Sequence, residues 1–166
     1  MESLPQSLNH LIHVNIEFKI LICLGHGCQT AQTPTAISGH LYRKHKTPLE
    51  LRKQVDKYIE RWLWEYDYTT ARLPIDGSVP QASIKIIDGF QCKFCDHKCR
   101  NRNGMREHTN KTHEKKRIAD EELFNRVRLQ SWFGDKRERY WVVDESQSEV
   151  DLGQELESRA GETHTR

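Results

Sequence analysis

Cys92, Cys95, His108 and His113 constrain this chain more than any other residues. They read C-x2-C-x12-H-x4-H, a spacing that suits a zinc-binding finger. Two thiolates and two imidazoles fill the tetrahedral shell of a Zn2+ ion. One tight turn presents both cysteines, and histidines five apart lie near one helical face. Phe90 stands two before the first cysteine and Met105 three before the first histidine, where a ββα finger keeps its small apolar core. Cys99 stands four after the second cysteine, where a Phe is usual. It is expected to pack in the finger core; a reactive thiol or a competing ligand are the alternatives.

A second quartet lies upstream. Cys23, Cys28, His40 and His45 read C-x4-C-x11-H-x4-H, one residue short in the central spacer. Gly25 and Gly27 let the loop between the cysteines turn tightly, because Gly reaches positive φ at little cost. Ile37 precedes His40 as Met105 precedes His108, Leu41 adds an apolar contact, and Pro34 suits a first helical turn. His26, inside the Gly-flanked loop, is a rival ligand, whereas His10 and His13 read as surface residues. Val14, Ile16, Phe18, Ile20 and Ile22 alternate with polar Asn15, Glu17 and Lys19, which predicts a half-buried strand over 14–22.

Charged residues make up 30% of the chain and hydrophobic residues only 36%, which favours small metal-braced units over one large core. Five cysteines with ligand-like spacing argue for metal in a reducing compartment, not disulfides. No secretory signal is evident. The apolar stretch from Leu11 to Leu24 is broken by His13, Asn15, Glu17 and Lys19 and is too short to span a bilayer. An intracellular chain with no membrane role is expected. Charge is unevenly spread: residues 92–117 carry nine Lys or Arg against three Asp or Glu, and 144–166 carry two against seven. A basic finger is followed by an acidic tail.

Along the chain, residues 1–13 read as a flexible N-terminus and 14–46 as the first finger with its preceding strand. Residues 47–72 predict an amphipathic aromatic helix. Thr47 would cap it, Pro48 would take the first helical position and Glu50 would complete a capping box. Leu51, Val55, Tyr58, Ile59 and Trp62 recur at helical spacing. Trp62, Trp64, Tyr66 and Tyr68 form an aromatic cluster that either docks the helix or stacks on bases; docking is the favoured reading. Residues 73–83, with Pro74, Asp76, Gly77, Ser78 and Pro80, read as a linker. Residues 84–117 hold the second finger, entered by a strand through Ile84, Ile86 and Ile87 and a turn at Asp88-Gly89. Residues 118–143 predict a helix over 118–133, stopped by Gly134, and then a brief apolar segment at Tyr140–Val143, read as a short strand with a docking peptide as the alternative. Residues 144–166 read as a disordered acidic tail. The expected class is small α+β: two zinc-stapled ββα-type fingers joined and followed by amphipathic helices.

The combination of two irregular fingers flanking an aromatic helix with Asp88-Gly89-Phe90-Gln91-Cys92, Arg128-Leu129-Gln130-Ser131-Trp132-Phe133 and Arg139-Tyr140-Trp141-Val142-Val143 resembles the fungal orsellinate-cluster D-type (OrsD-like) domain over roughly residues 16–143. The finger motifs alone are generic; the later elements carry the resemblance. It implies a zinc-finger-bearing module of large fungal proteins, of which this chain is expected to be a fragment or a stand-alone amino-terminal copy.

Four protein ligands leave no open position for water or substrate, so both sites are expected to be structural. No nucleophile elbow and no Gly-rich phosphate loop is present, and neither an enzyme nor a small-molecule substrate is expected. Counting His108 as helix position 7, the base-reading positions −1, 3 and 6 fall on Asn101, Gly104 and Glu107. The same count in the first finger gives Thr33, Ala36 and Gly39, a nearly blank face. Sequence-specific reading by a tandem array is therefore not expected, the more so because 46 residues separate His45 from Cys92. Weak, non-specific contact with DNA or RNA in a nuclear setting is the leading expectation. It would run through Lys98, Arg100, Asn101, Arg102, Arg106, Glu107, Lys111, Lys115, Lys116 and Arg117. The alternative is a protein-interaction module using the aromatic helix and the Trp132-Phe133 segment.

Overall fold

The computed structural model describes residues 3–62 and 65–146. They form two units. The first comprises the chain to Pro74 with Ala82–Lys85 and Ser131–Tyr140; the second comprises Ile75–Gln81, Ile86–Gln130 and the chain from Trp141. No helix among the described residues is long and apolar enough to cross a membrane.

In the first unit, β1 (Ile12–Asn15), β2 (Ile20–Cys23) and β3 (Thr30–Gln32) form an antiparallel sheet in that order. Helices α1 (Ile37–His45) and α2 (Leu49–Glu60) follow. The single strand expected over 14–22 is instead a hairpin, with Asn15 opposite Ile20. The side chain of Asn15 accepts the Phe18 amide at 2.9 Å and Lys19 takes φ 59°, so the chain reverses inside the alternating run. A period-2 pattern cannot reveal such a reversal, because both arms of a hairpin keep the same alternation.

The N-terminus also departs from expectation. Gln6–Leu8 form a short 3-10 helix, and Leu8 is fully buried with Ile12, Leu21, Cys23, Ile37, Leu41, Val55 and Tyr58 in one core. The predicted helical stripe of α2 holds, with Val55 and Tyr58 buried and Leu51, Ile59 and Trp62 packed alongside. Its start does not. The N-cap is Pro48 with no side-chain cap bond, and Thr47 is buried with its amide donating to the Leu41 carbonyl at 3.1 Å. Tyr66 docks half-buried against the sheet, its hydroxyl accepting from the Leu21 amide at 2.9 Å and donating to the Gln32 carbonyl. Trp64 lies outside the described residues.

The second unit holds β4 (Ile87–Cys92), β5 (Lys98–Cys99), α3 (Arg102–His113), the one-turn α4 (Asp120–Leu123) and β6 (Phe124–Ser131). With β7 (Tyr140–Val142) the strands run in the order β5-β4-β6-β7. The 118–133 segment expected as a helix is mainly strand: β6 pairs antiparallel with β4 from Ile87↔Leu129 to Cys92↔Phe124. Asp88-Gly89 is no turn but part of β4. A Cβ on Gly89 would lie 2.2 Å from Leu129 Cδ1, so glycine is there for close packing.

The 73–83 segment is a fastened strap. Asp76 accepts the Val142 amide at 2.8 Å and pairs with Lys98 Nζ at 2.8 Å, while Gln81 exchanges two hydrogen bonds with Gln130. Of the acidic tail, Asp144–Ser146 are described and fastened: the Asp144 amide donates to the Ser78 carbonyl at 2.9 Å, and Glu145 pairs with Arg128 at 3.3 Å. Residues 147–166 lie outside the described residues.

Candidate metal centres

Each quartet converges. In Cys23, Cys28, His40 and His45, and again in Cys92, Cys95, His108 and His113, one ligand atom per residue lies within 4.8 Å of all the others. The first set is built from the end of β2, the loop to β3, and α1. The second comes from the end of β4, the loop to β5, and α3. In both, the amide two residues after the first cysteine donates to its sulfur: Gly25 to Cys23 Sγ at 3.3 Å and Phe94 to Cys92 Sγ at 3.4 Å. These bonds favour thiolate sulfur. His26 is exposed and outside the first set, and His10 is exposed.

Sulfur-to-nitrogen edges support ligation. Cys23 Sγ lies 3.3 Å from His45 Nε2 and Cys28 Sγ 3.3 Å from His40 Nε2. Cys95 Sγ lies 3.2 Å from His108 Nε2 and 3.3 Å from His113 Nε2. All four imidazoles thus present the same nitrogen inward. Thr112 Oγ1 meets the outer nitrogen of His108 at 3.4 Å, an outer-shell contact that helps orient the ring.

Burial also bears on the protonation of the donors. Burial pushes the Cys23 thiol up to about 12, with the Gly25 amide opposing. Burial likewise raises Cys92. A thiolate in such surroundings needs a positive partner. Burial, followed by the charges of His45, Lys44 and Arg43, lowers His40. Burial, then His97 and His113, lowers His108. Lowered imidazoles are neutral near pH 7, the form that ligates.

The first centre contains a cradle. A Cβ on Gly25 would lie 2.2 to 2.5 Å from three atoms of the His45 ring. Of the two loop glycines only Gly27 takes positive φ, at 72°, so the tight-turn argument applies to it; Gly25 serves by leaving room for the ligand ring. The second centre is more open, with Cys95 exposed and the Phe94 ring 5.4 Å from His113.

Around the second centre most of the expected nucleic-acid residues already have partners. Asn101 caps α3, accepting the Asn103 and Gly104 amides at 2.8 and 3.3 Å. Arg102 and Arg106 both grip Asp120, the former at 2.5 Å. Desolvation works against it, yet the hydrogen bonds from both arginines hold Asp120 below the usual carboxylate range. Lys98 pairs with Asp76, and Lys111 with Glu107 at 2.5 Å. Lys115 Nζ sits 5.1 Å from the Phe94 ring centroid. Sequence reasoning missed Asp120 and Asp76 because neither lies in the finger motif. Cys99 is half-buried against the core of Cys92, Met105, Leu123 and Phe124, its thiol raised by burial and donating to the Asn101 carbonyl at 3.2 Å. It is not part of the metal-ligating set.

The family model described as orsellinic acid/F9775 biosynthesis cluster protein D matches residues 10–114, more than half of the chain. Comparison with curated proteins and with solved structures finds no match.

Proposed function

The chain belongs to the orsellinic acid/F9775 biosynthesis cluster protein D family, and from that premise we propose that it is a non-catalytic binding module braced by two structural Zn2+ ions. The carrying observation is the closed S2N2 donor set in each unit. Zn–S of about 2.3 Å and Zn–N of about 2.0 Å at a tetrahedral angle imply an S···N edge of roughly 3.5 Å, close to the 3.2–3.3 Å found. Borderline-soft thiolates and imidazoles favour Zn2+ over the hard Mg2+ and Ca2+. Four protein donors leave no place for a reacting water, so the metal supplies folding energy, on the order of 10–16 kcal/mol in finger peptides. Chelation at neutral pH should unfold both fingers, read as a loss of helical circular dichroism. An unchanged spectrum would argue against the bracing role.

For the partner, the proposed reading is weak, non-specific contact with nucleic acid in a nuclear setting. The second finger would contribute chiefly Lys115, Lys116 and Arg117, since Lys98, Arg102 and Arg106 are spent on Asp76 and Asp120. Affinity for DNA should fall steeply as salt rises. No binding at low salt would leave protein interaction as the better reading.

A further inference from the structure

The first unit carries a surface that the sequence did not single out. At the end of α1, Tyr42 is 53% exposed. Its ring has Arg52 Cζ 4.6 Å and Lys46 Nζ 5.7 Å from the centroid. Arg43 and Lys44 lie exposed beside it on the same last turn. Thr47 brings the two helices together: its amide bonds the Leu41 carbonyl, and its own carbonyl accepts Arg52 Nε at 3.1 Å. Among the described residues, no carboxylate pairs with Arg43, Lys44, Lys46 or Arg52, in contrast to Lys98, Arg102, Arg106 and Lys111 of the second unit.

Basic residues in a last turn also complement the helix dipole. That role explains Arg43 and Lys44, but not Arg52, which comes from the first turns of α2, nor an exposed aromatic ring among the cations. We propose that Tyr42 with Arg43, Lys44, Lys46 and Arg52 is a binding site for single-stranded nucleic acid. One base stacks on the Tyr42 ring, and the four cations receive the flanking phosphates. An acidic peptide would satisfy the cations but has no planar group for the ring, which is why the observations favour a nucleotide strand. A duplex keeps its bases stacked internally and leaves no base face for the ring. The ligand class rests on the nucleic-acid reading above; the site and the mode of binding are additional to it.

The test is fluorescence anisotropy of a labelled oligothymidylate with the full zinc-loaded chain at low salt. Tyr42→Ala should weaken binding about tenfold, within the range for one lost base–aromatic stack. Tyr42→Phe should keep affinity, and the double variant Arg43→Glu/Lys46→Glu should abolish it. A duplex of the same length should bind more weakly and be indifferent to Tyr42→Ala. Unchanged oligothymidylate binding in Tyr42→Ala overturns the proposal, as does displacement of the strand by polyglutamate as readily as by unlabelled strand. Binding lost only in Lys115→Glu/Lys116→Glu overturns this site but keeps the broader nucleic-acid reading. If the parent chain binds no strand, both fail.

Discussion

At the scale of single residues, the first centre depends on an atom that is absent. Gly25 leaves the space that His45 occupies, and any Cβ would meet the ring at 2.2 Å. Gly25→Ala should therefore displace His45 from the quartet, because the added Cβ would occupy the space of its ring. The expected result is loss of about one metal equivalent per chain with the second centre intact; full occupancy would show that the ring has another way to reach the metal. Protonation belongs to the same scale. His40 has an ordinary value of 6.5 and is lowered in the fold by burial and then by its cationic neighbours. A base lowered on folding binds fewer protons in the native state, so stability rises with pH through this window and falls as pH drops below about 6.5. Stepwise acidification monitored with a zinc indicator should release metal progressively below that point. The two convergent quartets were legible from spacing, since metal geometry restricts spacing tightly. The cradle was not, because a glycine in a loop reads as a turn signal whether it serves φ or space.

Among the elements, the small core beside the second quartet is completed from outside the Cys92–His113 motif. Cys99 stands where a finger usually has an aromatic residue, and Phe124 of β6 supplies the missing ring, packed edge-on to Phe90 with centroids 5.2 Å apart. Leu123 is fully buried in the same small core with Met105 and Cys92, and Ile118 packs beside it. The segment after the finger thus becomes a strand because it pairs with β4 and fills that gap. Its apolar residues Leu123, Phe124 and Val127 look helical in spacing, and only the long-range pairing decides otherwise. Phe124→Ala should cost about 3 kcal/mol or more, measured as a lower urea midpoint for the zinc-loaded chain. A loss under about 1 kcal/mol would mean that the finger closes its core without β6. The departure at Cys99 was visible in the sequence as a defect; its compensation lay outside the motif being read.

For the whole molecule, the two metal quartets fall in separate units, each with its own sheet, helix and apolar core. Composition favoured small metal-braced units over one large core, and the described residues form two compact units with one Cys2His2 quartet in each. The chain's route was not legible. Residues 75–81 join the second unit, 82–85 return to the first, and 131–140 return again. A segment rich in Pro, Gly and Asp reads as a free linker from composition, yet here Asp76, Gly77 and Gln81 each bond a partner distant in sequence. Such bonds leave no local signature. If both quartets hold zinc, native mass spectrometry of the purified chain with elemental analysis will find two zinc ions per chain; one ion, none, or a different metal would show that the quartets are not a pair of zinc sites.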